Sequence, residues 1–321
     1  MYACIDLGSN SFHLLIGEWE NGHIPIIERC SEKVQLGEGV SSSGEISSAS
    51  FERGLATLQH FKFLMDEYPI QQYWALGTNT FRVTKNAIDF VNAAAEIGID
   101  ISIISGVQEA VLIYAGVITA LPVVNTHRLI IDIGGGSTEV IIGKSHERLI
   151  TESLAIGSVA WRDQFFDESN LSIAALESQM DLGVAAALKE FQSVAVGVSK
   201  VGWNEAYASS GTVKMLTAIC HEQGFGESQI SYRALQEVKS TLATAIVMNS
   251  ELPGLKERRR DLLLSGWCIL SALMEAYEIN LIKFSATALR EGMLDFMVKN
   301  GKTYPAMEQS GLPSVSLAAK G

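Results

Sequence analysis

The sequence predicts an α/β protein built from two similar domains, and two observations carry that reading. The first is a motif stated twice. Ile5 to Gly17, IDLGSNSFHLLIG, aligns without gaps to Ile131 to Gly143, IDIGGGSTEVIIG, and Ile5, Asp6, Gly8, Ser11, Ile16 and Gly17 recur as Ile131, Asp132, Gly134, Ser137, Ile142 and Gly143. Six identities in thirteen positions indicate a duplicated unit rather than two unrelated hairpins with Gly/Asn turns. The second observation is that strand-like apolar runs alternate with helix-spaced segments in both halves, which gives mixed sheets flanked by helices.

Each copy of the motif reads as strand, glycine loop, strand. In the second copy the apolar run Leu129 to Ile131 reaches Asp132, breaks at Gly134, Gly135, Gly136 and Ser137, and resumes as the alternating stretch Thr138 to Ile142. Consecutive glycines leave backbone N–H groups uncovered by Cβ atoms, so such a loop can wrap an anion while Asp132 stands beside it. A phosphate with a metal ion suits that chemistry. Duplication then implies two loops facing a shared cleft, with Asp6 and Asp132 close across it.

Composition narrows the function classes. With 321 residues and 47% hydrophobic content, the chain is long enough for two domains that each bury a core, and its 6 prolines argue against long linkers. A net charge of −12 argues against a protein that coats nucleic acid or an anionic membrane, so a phosphate-rich ligand must be held locally. Cys4, Cys30, Cys220 and Cys268 are scattered with no C-x-x-C, which suggests neither a disulfide framework nor a zinc site. The N-terminus enters a strand at once, without the basic region of a signal peptide. The longest uncharged apolar run, Ala110 to Val124, falls short of the ~20 residues that span a bilayer. A cytoplasmic protein with reduced thiols is expected.

After the first loop, Ile24 to Ile27 and Lys33 to Leu36 suggest short strands, followed by a polar turn from Gly37 to Ser50. Phe51, Leu55, Leu58, Phe61 and Met65 recur at helical steps. Tyr73 to Leu76 is a strand delivering the loop Gly77 to Arg82, whose hydroxyls, amide and guanidinium make an anion clamp or, equally, a helix N-cap beside a solvated arginine. Ile101 to Ile104 is a further strand, and Ser105 to Gln108 fits a capping box that opens a helix to about Leu121. Glu109 lies in its first turn, where complementing the helix dipole is the plain alternative to a catalytic role.

Residues 122–127 make the domain junction, giving domains over 1–124 and 125–300 and a loosely ordered tail over 301–321. In the second half, Ser172 caps a helix to about Val196. Ala206 to Ala208 leads into the small-residue turn Ser209 to Thr212. Lys256 to Glu278 is a helix with a basic start, Leu281 to Phe284 a strand and Ala288 to Val298 a helix.

These residues resemble the exopolyphosphatase / guanosine pentaphosphate phosphohydrolase (Ppx/GppA) family of the actin-like ATPase superfamily. The matching stretches are IDLGSNSFHLLI, LGEGVSSSGEIS with the ERGL after it, LGTNTFR, ISGVQEAVLIYAGV, IDIGGGSTEVIIG, ASSGTVK and ALREGML, in the family's order from about Ile5 to Leu294. The resemblance implies two actin-like (ribonuclease H-like) domains and a cleft between them where water attacks a terminal phosphate of inorganic polyphosphate or guanosine pentaphosphate. It puts the catalytic glutamate on Glu109 and counts Arg82 as catalytic too, as a contact to the phosphate. It puts phosphate contacts on Asn10, Ser11, Gly134, Gly135, Gly136, Ser137 and Thr138. It assigns Mg²⁺ to Asp132 and Glu139, with Asp6 as a further ligand, and implies a homodimer.

Four positions depart from the family's pattern: Gln108 replaces a glutamate, Val111 an arginine, Ser158 a cysteine of some members and Thr287 a glycine. The chain resembles the short, two-domain form. A module that senses guanosine tetra- or pentaphosphate with little turnover, motivated by Gln108 and Val111, is the competing reading. A kinase of the same superfold is a third, against which the Glu109 segment argues.

Overall fold

The structure is a computed structural model and describes residues 1–20, 23–166, 172–299 and 316–317. The chain forms two compact units, Met1–Pro122 together with the stretch from Thr287 onward, and Val123–Ala286.

In the first unit, β1 (Tyr2–Leu7) and β2 (Ser11–Gly17) form an antiparallel hairpin in continuous register from Tyr2↔Gly17 to Leu7↔Phe12. Strand β3 (Ile26–Lys33) extends it on the β2 side. Helices α1 (Val40–Ser43) and α2 (Ser48–Asp66) lead to β4 (Gln72–Gly77), parallel to β1. Helices α3 (Asn79–Val83) and α4 (Ala87–Glu96) precede β5 (Ile101–Ile103), parallel to β4, and α5 (Gly106–Thr119). The two strands expected at residues 24–27 and 33–36 are thus one strand, because pairing with β2 runs unbroken from Ser11↔Lys33 to Ile16↔Glu28.

The second unit repeats the plan. Strands β6 (His127–Ile133), β7 (Thr138–Lys144) and β8 (Glu147–Leu154) form the antiparallel set. Helices α6 (Ser158–Phe165) and α7 (Ile173–Val201) lead to β9 (Glu205–Ser209), parallel to β6, and Ser172 caps α7 as its sequence position suggests. There follow α8 (Ser210–Glu222), β10 (Gln229–Ser231), α9 (Tyr232–Glu237), α10 (Lys239–Val247), the 3-10 turn Glu257–Leu262, α11 (Leu263–Ala276) and β11 (Leu281–Phe284). The order β8-β7-β6-β9-β11 corresponds strand for strand to β3-β2-β1-β4-β5, with β10 added at the edge. Two mixed sheets flanked by helices, one per unit, is the architecture the duplicated motif foretold.

The single helix expected over Lys256 to Glu278 is two elements. The guanidinium of Arg260 donates to the carbonyls of Ala245 and Ser250 at 3.2 and 2.9 Å, which holds the charged stretch as a tight turn before α11 begins. Helix α11 is buried on all sides from Leu263 to Met274, as a helix apolar all round must be.

After β11 the chain returns to the first unit. Helix α12 (Leu289–Lys299) packs on β1 and α5, and β12 (Ser316–Leu317) pairs antiparallel with β4. This differs from the sequence division, which kept everything to residue 300 in the second half. The reason is steric. A Cβ on Gly116 of α5 would lie inside the Ala288 carbonyl, and one on Gly292 of α12 inside the Leu112 carbonyl. Each glycine therefore admits the other helix's backbone, and Trp74 of β4 stacks on Phe296 of α12 with centroids 5.2 Å apart. The tail expected over 301–321 lies outside the described residues except for 316–317. Among the described residues no helix is long and apolar enough to cross a membrane.

Candidate active site

The loop between β1 and β2 is fixed from beneath by the end of β3. The amides of Val34 and Gln35 both donate to the Asn10 carbonyl, at 3.1 and 2.8 Å, and the Gly37 amide donates to the Ser9 carbonyl at 2.8 Å. The Thr80 hydroxyl donates to Ser9 Oγ at 2.8 Å and the Thr78 hydroxyl to the Leu7 carbonyl at 3.3 Å, so the turn after β4 is tied to this same loop. Asn10 Nδ2 donates to Ser11 Oγ at 3.3 Å, and Asn10 Oδ1 is buried with no hydrogen-bond partner among the described residues. Polar atoms so placed are met by water or a ligand in a working protein.

That turn also delivers Arg82. Its Nη1 donates to Glu109 Oε2 at 2.8 Å and to the Ile104 carbonyl at 3.0 Å. Glu109 is itself held by the start of α5, whose capping box is complete: the Gln108 amide donates to Ser105 Oγ at 3.1 Å, and the Ser105 amide to Gln108 Oε1 at 2.8 Å. Gln108 thus has a local structural task that either glutamine or glutamate performs equally. Val111 is a core residue, 1% exposed. The loop from Gly77 to Arg82 does become a helix start, and its arginine is ion-paired with Glu109.

In the second unit the β6–β7 loop is built alike. A Cβ on Gly8 would meet the Ser11 carbonyl oxygen at 3.1 Å, and one on Gly134 the Ser137 carbonyl oxygen at 3.0 Å. The carbonyls of Gly134 and Gly135 are taken by the amides of Ser158 and Val159 at the start of α6, at 2.9 and 2.8 Å. Peptide units here are trans, so the N–H groups of Gly135 and Gly136 point the opposite way, off α6. Gly157 permits this docking, because a Cβ there would overlap the Gly135–Gly136 peptide. The Ser158 hydroxyl donates to the Gly134 carbonyl at 3.2 Å. The hydroxyl of Thr138 donates to the Ile156 carbonyl at 2.7 Å and the whole residue is buried, while the Gly134 amide donates to the Ser137 carbonyl at 2.9 Å, so neither of these two expected phosphate contacts is open to a ligand. Ser137 is 3% exposed.

Register places four polar side chains in one row across four strands: Ser153, Glu139, Asp132 and Ser209, each the Cα partner of the next. Ser153 Oγ donates to Glu139 Oε1 at 2.8 Å, and Ser209 Oγ donates to Asp132 Oδ1. The row sits on the face opposite the unit's main core, which takes Leu129, Ile131 and Ile133 from the same strand. In the first unit the equivalent row is Ser31, His13, Asp6 and Leu76, so an imidazole stands where the second unit has the Glu139 carboxylate.

Two carboxylates directly opposite on neighbouring strands are unfavourable by themselves, and Glu139 is fully buried. An oxygen-only set of two carboxylates flanked by hydroxyls is what a small hard cation offsets, so these residues fit Mg²⁺. Asp6, paired with His13, offers one carboxylate of the same kind in its own unit.

Sequence reasoning named Asp132 and Glu139 but not Ser153, Ser209 or His13. Ser209 was visible as part of a small-residue turn, and His13 as the position of the repeat where the two copies differ most in charge. Their role in the rows appears only once register is known.

A duplicated mixed-sheet protein with one Asp-bearing hairpin loop per unit is the class these features define. A family model for the Ppx/GppA phosphatase family matches residues 15–301, and the chain belongs to that family. It is 36% identical over 300 residues to a guanosine-5'-triphosphate,3'-diphosphate pyrophosphatase of Pseudoalteromonas translucida, covering 93% of this chain and 59% of that protein. A Haemophilus influenzae relative is 33% identical over 300 residues, covering 91% of its own length. Among solved structures, an exopolyphosphatase from Cytophaga hutchinsonii superposes with a TM-score of 0.82 at 25% identity, over 93% of this chain and 98% of the other.

Proposed function

We propose that this chain is a Mg²⁺-dependent phosphohydrolase that releases the terminal phosphate of inorganic polyphosphate or of guanosine pentaphosphate by attack of water. The observation that carries the reading is the ion pair of Arg82 with Glu109, held on the turn that also braces the Asn10–Ser11 loop. Family membership supports the reaction class. The named relatives supply the two substrates, one each.

The roles follow from the residue types. Glu109 orients the attacking water and accepts its proton as the oxygen–phosphorus bond forms and the anhydride bond breaks, leaving orthophosphate and a chain one phosphate shorter. Arg82 neutralises charge on the transferred group, which is where most of the rate in phosphoryl transfer originates. Asn10 and Ser11 in the first unit, and the amides of Gly135, Gly136 and Ser137 in the second, are the groups each unit offers to phosphate oxygens. Asp132 and Glu139 would hold Mg²⁺ in the second unit, Asp6 offers a carboxylate of the same kind in the first, and the ion would polarise phosphate oxygens. Four free thiols accord with work in the reducing cytoplasm.

The test is phosphate release from both substrates, with and without chelation. Release that needs Mg²⁺ is expected, and the faster substrate names the activity. Tight binding of guanosine pentaphosphate without release would instead establish the sensing module.

Ser209 supplies a narrower check. Removing a hydrogen bond to a ligating carboxylate typically weakens metal binding ~10–100-fold. Ser209→Ala is therefore expected to raise the Mg²⁺ concentration for half-maximal activity by about tenfold or more, with the rate at saturating Mg²⁺ largely kept. An unchanged Mg²⁺ requirement would remove Asp132 from the metal.

A further inference from the structure

On the other face of the first unit's sheet, β3 and α2 bring together three side chains of a different chemistry. Cys30 and Glu32 lie two residues apart on β3 and so share a face, and His60 sits on α2 opposite them. One ligand atom from each, a sulfur, a carboxylate oxygen and a ring nitrogen, lies within 4.8 Å of the others. Cys30 Sγ is 3.9 Å from Glu32 Oε1. Around a tetrahedral ion with bonds of about 2.3 Å to sulfur and 2.0 Å to oxygen, those two atoms stand ~3.5 Å apart, so small rotamer changes close the set. Among the described residues this is the one such group of three.

We propose that Cys30, Glu32 and His60 bind a divalent cation of the zinc class, with a fourth position left to water. The donor set selects the ion: a thiolate with an imidazole favours Zn²⁺ or Co²⁺ and is foreign to Mg²⁺, which takes oxygen. Glu28 lies two residues before Cys30 on the same side of β3 and adds a second carboxylate near the thiol, and binding would exchange the thiol proton for the metal. The other three cysteines offer no rival. Cys4, Cys220 and Cys268 are buried, and burial pushes the Cys220 thiol up to about 11.

Occupancy would clamp an edge strand to a helix. Strand β3 ends one residue before Val34, whose amide together with that of Gln35 holds the Asn10 carbonyl. The ion therefore stiffens the support of the first loop from a distance, without touching the reacting groups. The separation of His60 from the Cys-x-Glu pair is why no zinc-like spacing shows in the sequence.

Co²⁺ titration followed by absorption tests this in the full chain with Mg²⁺ present throughout. Expected are a thiolate-to-cobalt charge-transfer band and the visible bands of a four-coordinate ion, both lost in Cys30→Ser and in His60→Ala and both abolished by one equivalent of Zn²⁺. Circular dichroism of the two variants confirms the fold. No band in the natural protein, or a band that persists in either variant, overturns the proposal. Because the readout is optical and the three residues are none of those proposed for hydrolysis, failure here leaves the hydrolase reading intact, and failure of hydrolysis leaves this site testable.

Discussion

Glu109→Gln is expected to lower phosphate release by about 10²–10⁴-fold, the usual weight of a positioned general base, with KM changing little. The substitution keeps the side chain's shape and removes only the charge and the proton-accepting oxygen. Its structural cost must be separated from its chemical one. Glu109 is 7% exposed and its Oε2 receives the Arg82 guanidinium at 2.8 Å, so neutralising it strands part of a buried charge pair. Arg82 is tempered against this, since it also donates to the Ile104 carbonyl and keeps a fifth of its side-chain surface in solvent. Thermal unfolding measured beside kcat and KM distinguishes the two, because a destabilised but competent enzyme loses active fraction and keeps its pH profile. A variant whose rate stays within about tenfold of the natural protein places the base elsewhere.

The second large effect is on stability. Gly116→Val is expected to destabilise the first unit by at least ~3 kcal/mol, the upper end for overpacking, because the atoms it meets are the backbone of Ala288 and Gly292 rather than the ends of movable side chains. Denaturant unfolding reads this as an earlier first transition. Gly116→Ala and Gly292→Ala should each be costly, yet the double variant should cost less than their sum. Once α5 and α12 have moved apart to admit one methyl group, the second enters partly free, the non-additivity expected of sites in contact. Strict additivity would mean that the two glycines do not share one close approach.

How far the sequence revealed these features depended on whether the signal was local. The duplicated hairpin was legible because the same residues must make the same turn twice, and Ser105–Gln108 and Ser172 announced their helices through cap chemistry. Helix α4 was missed although Ala87, Phe90 and Ala94 sit at helical steps. The return of α12 to the first unit was invisible, because a glycine that admits another helix's backbone has no periodicity. The site divides the same way. Glu109, Arg82, Asp132 and the loop glycines were named from motifs, while Ser153 and Ser209 emerged only from strand register.

That return has a consequence for how the protein is made. A ribosome delivers residues 1–122 first, yet the helix that covers β1 and α5 comes from residues 289–299, after the whole of the second unit. During synthesis the early half must wait, with the Trp74 and Gly116 surfaces unfilled, while the later half has its complete sheet in hand. Maturation therefore runs against the direction of translation, and a nascent chain stalled before α12 emerges presents its apolar α5 face to chaperones.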